Sequence, residues 1–100
     1  MDIIRTKNEN VITLSLSGRL DTVTSSKLGE ELSKVFEEEE MELVFDFEAL
    51  DYISSAGLRV LLTAQKKINT LATTMKIINA NENVREVFDV TGFSGILTIE

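Results

Sequence analysis

Apolar and polar residues alternate strictly from Val11 to Ser17, with Ile12, Leu14 and Leu16 on one side and Thr13, Ser15 and Ser17 on the other. A period of two is that of a strand buried on one face. Residues 2–7, with Ile3 and Ile4, form a shorter candidate strand, and Asn8-Glu9-Asn10 reads as the turn of a hairpin. Gly18-Arg19-Leu20-Asp21 closes the second strand. The period then changes to that of a helix: Leu28, Leu32, Val35 and Phe36 fall at i, i+4, i+7 and i+8. Asp21, Thr22 and Thr24 are candidate caps for that helix. Gly29 lies in its interior and costs about 1 kcal/mol relative to alanine. Glu37 to Glu40 is a run of acids expected as a solvated loop.

Glu42 to Phe47 is nearly continuously apolar except for Asp46, the pattern of a central strand covered on both faces. Next comes Asp51-Tyr-Ile-Ser-Ser-Ala-Gly-Leu-Arg-Val-Leu-Leu62, where an apolar segment gives way to a helix predicted over 55–69. Leu58, Leu61, Leu62 and Ile68 share its inner side and Val60 and Ala64 widen the arc. Arg59, Thr63, Lys66 and Lys67 form a narrow polar strip. Met75 to Asn79 reads as another strand. Asn81 is placed to cap a short helix that buries Val84, Val87 and Phe88, and Gly92 to close it. Ile96 to Ile99 reads as a last strand. The order is ββαβαβαβ. Strands separated by helices imply crossovers, hence a single α/β domain over residues 1–100 with a mixed, mostly parallel sheet and packed helices.

Composition narrows the function. The chain has 100 residues, is 43% apolar and 27% charged, and carries a net charge of −7. Such acidity argues against nucleic acid and against anionic membrane surfaces, and favours partners with a basic docking face. No apolar run is long enough to span a membrane and no signal pattern opens the chain, so the cytoplasm is the expected location. Histidine and cysteine are absent. That excludes Ser-His-Asp and Cys-His catalysis, thiolate or imidazole metal sites, and disulfides.

The remaining chemistry centres on Ser54 and Ser55. Either hydroxyl could cap the helix, a contribution of about 0.5–2 kcal/mol over alanine. The same position meets the positive end of the helix dipole, where a phosphate is favoured, so a cap and a phosphoacceptor are compatible readings. A nucleophile elbow is not supported, because Gly57 follows Ser55 but position 53 is Ile rather than glycine. A Ser-Lys dyad would need Lys66, Lys67 or Lys76 buried beside Ser55. Asp21, Asp46, Asp51 and Asp89 lack the spacing of a calcium loop, and no glycine-rich phosphate cradle exists, so neither metal nor cofactor is expected.

Gly18-Arg-Leu-Asp21, Asp51 to Leu62 and Phe88-Asp-Val-Thr-Gly-Phe93 together resemble the STAS domain, specifically the bacterial anti-sigma factor antagonist family, over essentially the whole chain. The resemblance implies that Ser55, two residues before Gly57, is the phosphoacceptor, with Ser54 as second choice. Many members have aspartate where this chain has Ser54, and Arg59 stands where the family often has a small residue. Asp21 matches the family's acid on the loop beside the serine. The implied partner surface is Asp21, Ser54, Ser55, Ala56, Gly57 and Arg59. The implied role is a partner switch, not an enzyme. The unmodified domain binds an anti-sigma factor that is also a serine kinase; phosphorylation releases it, and a PP2C-type phosphatase restores it. The alternative role is an unphosphorylated STAS adaptor subunit of a signalling or lipid-transport assembly.

Overall fold

The computed structural model describes residues 1–38 and 40–100. Strands β1 (Asp2–Asn8), β2 (Val11–Leu20), β3 (Glu42–Ile53) and β4 (Met75–Ile78) form one sheet in the order β1-β2-β3-β4. β1 and β2 are an antiparallel hairpin, and β2, β3 and β4 run parallel. Helices α1 (Thr22–Val35) and α2 (Ser55–Thr70) are the two crossovers, and α3 (Glu82–Thr91) follows β4. The expected α/β domain with a mixed, mostly parallel sheet is therefore observed.

The alternation in β2 has the predicted consequence. Ile12, Leu14 and Leu16 join Leu43, Phe45, Phe47 and Ile77 in the core, against Leu28, Leu32 and Val35 of α1 and Leu58, Leu61, Ala64 and Ile68 of α2. Leu62 and Val60 are only half-buried. The buried stripe of α2 is thus narrower than the sequence suggests, and more of the helix faces water.

Two strands outrun their sequence boundaries. β2 continues through Gly18, whose φ of +88° lies in the left-handed region that favours glycine. β3 continues to Ile53 because bulges absorb extra residues: Ser15 pairs with Asp46 but Ser17 with Ala49, and Gly18 pairs with Leu50 but Arg19 with Tyr52. Beyond Phe47 the nearly continuous apolar run ends, and Leu50 and Ile53 turn inward three residues apart, a spacing set by the bulges that matches neither a continuous run nor a period of two. That irregularity made the strand look shorter in sequence.

The segment predicted as a last strand, Ile96 to Ile99, contributes one parallel bridge, Ile77 to Ile99. A 3-10 turn over Phe93–Gly95 takes up part of the chain between α3 and that bridge. Ile77 N–H donates to the Thr98 carbonyl and Glu100 N–H to the Ile77 carbonyl, each at 2.9 Å. In the acidic run, Glu37 is exposed, whereas Glu38 accepts from Arg5 at 3.0 Å and lies 3.6 Å from Lys7, tying the end of α1 to the edge strand. Glu39 lies outside the described residues.

Candidate functional site

The parallel strands all end at one edge of the sheet, and each is followed there by a capped helix start. In α/β sheets this carboxyl edge is where ligands and partners gather. Leu20 pairs with Ile53, and the Ser54 N–H donates to the Leu20 carbonyl at 2.9 Å. The starts of α1 and α2 are thereby held side by side, which brings Asp21 next to Ser54 and Ser55. The third start, at α3, is tied to the same edge by Asn81. Its side-chain amide donates to the Leu50 carbonyl at 3.0 Å and its oxygen accepts from Val84 N–H at 2.9 Å.

The two serines have separate roles in the local structure. Ser54 is the cap of α2: its backbone is extended, and its hydroxyl accepts from Gly57 N–H at 3.2 Å. Ser55 is the first residue within the helix, exposed, and its hydroxyl has no hydrogen-bond partner among the described residues. Capping physics accepts either serine, and the close of β3 against β2 selects Ser54.

Gly57, expected in the exposed helix start, is instead buried. A Cβ built there would lie 2.8 Å from Leu20 Cγ and 2.9 Å from Ile53 Cγ1, both within packed side chains. The glycine lets α2 rest directly on the last residues of β2 and β3. Its effect on the surface is through that placement. Ala56 is half-buried, and Arg59 is exposed one turn beyond Ser55.

Asp21 caps α1. Its Oδ1 accepts from Thr24 N–H at 3.0 Å and Val23 N–H at 3.1 Å, while its own N–H donates to the Thr24 hydroxyl at 2.8 Å. This reciprocal box satisfies the open donors of the first turn. The Thr24 backbone N–H, then the Thr24 hydroxyl, then the Val23 N–H and the Arg19 charge hold the Asp21 carboxyl below its usual value of 3.8, against a smaller opposing effect of desolvation. It is a fixed negative charge at neutral pH.

Three neighbours escaped the sequence reading. Arg19 lies 4.1 Å above the Tyr52 ring, a cation–π contact between register partners. Tyr52 is still 40% exposed and Val23, in the first turn of α1, is 75% exposed. Both place apolar surface at the same edge as Ser55. Val23 sits five residues before Leu28 and so falls off the apolar stripe, a signal that was available in the sequence. Tyr52 lies within the bulged part of β3, where alternation gives no guide.

Among the described residues, none of the three lysines considered for a dyad lies beside Ser55. Lys66 and Lys67 lie about 16 Å further along α2, and Lys76, at the far end of the sheet, is 3.5 Å from Glu100. Among the described residues no three carboxylates converge to hold a metal ion. Asp46 accepts from Asn79 and from Glu48 N–H, and Asp89 from Ser94, so each has a local structural partner.

The sequence profile of the STAS domain matches residues 2–100. BtrV of Bordetella bronchiseptica, provisionally named an anti-sigma factor antagonist, is 31% identical over 99 residues, 99% of this chain and 85% of the relative. The anti-sigma-B factor antagonist of Bacillus subtilis is 28% identical over 93 residues, 93% of this chain and 84% of the relative. Among solved structures, the unphosphorylated form of the anti-sigma factor antagonist SpoIIAA superposes with a TM-score of 0.85 at 18% identity, covering 99% of this chain and 88% of that one. The phosphorylated form of SpoIIAA from Bacillus superposes with a TM-score of 0.77 at 17% identity, covering 99% and 91%. At these identities the structural likeness concerns the fold.

Proposed function

The chain belongs to the STAS domain family, and from that premise we propose that it acts as an anti-sigma factor antagonist in a partner-switching system. In its unmodified form it binds a kinase-type anti-sigma factor through the carboxyl edge around Asp21, Ser55 and Arg59. Phosphorylation of Ser55 then ends the complex. The Ser55 Oγ takes the γ-phosphoryl group of ATP, ADP leaves, and the hydroxyl proton passes to a base of the kinase. A PP2C-type phosphatase returns the serine by hydrolysis. The site of these exchanges would be the cytoplasm.

The observation that carries this reading is the split between the two serines. Ser54 is committed to holding the helix, whereas Ser55 offers an exposed hydroxyl at the helix start. A phosphate there adds about −1.5 to −2 charge at the favourable end of the α2 dipole, so the modified domain stays folded. The same charge stands beside Asp21 in the middle of the docking edge. If burying it there costs even about 1.4 kcal/mol, affinity falls tenfold. Relatives named as antagonists support the same reading.

The test uses the anti-sigma factor kinase of the same organism. Ser55→Ala should retain binding and take no phosphate, and Ser55→Asp should lose binding by at least about tenfold. Intact mass after incubation with the kinase and Mg-ATP should show one phosphate on the wild-type chain and on Ser54→Ala. Equal binding by both Ser55 variants and an unchanged wild-type mass would instead support the adaptor reading.

A further inference from the structure

A groove of about 350 Å³ runs between α1 and α2, away from the strand edge. Its floor is Leu32 of α1 and Phe36 at that helix's C-cap, with Val60 and Ala64 of α2. The two hydroxyls that line it are turned back on their own helices. Ser33 Oγ donates to the Gly29 carbonyl at 3.1 Å and Thr63 Oγ1 to the Arg59 carbonyl at 3.0 Å. The walls therefore present apolar surface with few free polar groups. The rim holds Arg59 and Lys67, both exposed and without an ion pair among the described residues. They stand eight residues apart on α2, about 12 Å along its axis. No described carboxylate lines the groove, in a chain whose net charge is −7.

Gly29 gives a second, independent sign. It sits inside α1, where alanine is the better helix former, and a Cβ built on it would meet nothing within 4 Å. Packing within the domain does not require a glycine there. The bare backbone keeps that wall of the groove open, and a larger side chain at position 29 would occupy it.

We propose that the α1–α2 groove docks an acidic amphipathic helix of a partner protein. An apolar stripe would fill the floor, and carboxylates about two turns apart would meet Arg59 and Lys67. Two cations spaced along an apolar trough fit a helix better than a ligand with a single anionic head. The groove shares Arg59 with the docking edge around Ser55 but does not depend on the proposed switch, since it needs no phosphate. Arg59 lies one turn from Ser55, so a helix seated here would run into the strand edge.

The test records amide spectra of the isotope-labelled full chain with three probes. One is a stapled synthetic helix of about four turns with leucines along one face and glutamates flanking it; the second is its lysine-for-glutamate twin; the third is laurate. The acidic helix should shift amides of the groove residues in α1 and α2 and bind about tenfold or more tighter than its twin. Gly29→Leu, with the fold retained in the same spectra, should abolish those shifts, and the double variant Arg59→Glu, Lys67→Glu should prefer the lysine twin. Gly29→Ala supplies the milder block if the leucine variant perturbs α1. Equal binding of the twins, no binding, shifts elsewhere, or occupation by laurate alone would overturn the proposal.

Discussion

At position 57 a single methyl group decides how closely α2 can approach the sheet. Ile53 and Leu20 are buried on either side, and a Cβ would come closer to both than packed carbon atoms tolerate. Overpacking of this kind costs about 1–3 kcal/mol, and alanine's better helix propensity returns about 1. Gly57→Ala is therefore expected to lose up to about 2 kcal/mol and lower Tm by up to several degrees, readable by thermal unfolding. An unchanged or raised Tm would mean that Leu20 moves aside at no cost. The resemblance placed Gly57 in the partner surface, but sequence alone could not show that it is buried. The contact that buries it joins residues from two strand ends and depends on a register that no local pattern specifies. Ser54 and Ser55 were likewise indistinguishable by type, and the bonds from Ser54 N–H to the Leu20 carbonyl and from Gly57 N–H to the Ser54 hydroxyl separate cap from exposed hydroxyl.

Among elements, those with an unbroken period were the most legible. The alternation of β2 became a core face as written, Leu28, Leu32 and Val35 of the α1 stripe are buried while Phe36 at the C-cap is half-buried, and Asn81 and Gly92 bound α3 as expected, with Val84 and Phe88 buried and Val87 half-buried. Legibility ended where geometry departs from period, in the bulged second half of β3 and in the one-bridge segment near Ile99. The start of α1 yields a pH prediction. The Asp21 carboxyl is held below 3.8 by the donors it caps, so its contribution to stability is present above that value and is lost as pH falls through the lower, folded one. In acid titrations followed by circular dichroism, Asp21→Asn should show a shallower loss of stability below about pH 4 than the parent. Identical acid limbs would remove Asp21 from that account.

On the scale of the whole molecule, charge and shape are unevenly shared. The net −7 includes the fixed Asp21 at the strand edge, while the groove between the helices carries Arg59 and Lys67. The proposed antagonist and its anti-sigma factor should thus associate faster at low ionic strength. Stopped-flow association rates are expected to fall on the order of tenfold from low to high salt, with the dissociation rate changing less. A flat salt profile would leave shape alone to bring the partners together. Because the hydroxyl that holds α2 and the hydroxyl that meets water belong to different residues, the phosphate proposed at Ser55 would leave the cap of α2 untouched. Under that proposal the mark would be erased and rewritten on a scaffold that keeps no record of how often this has happened.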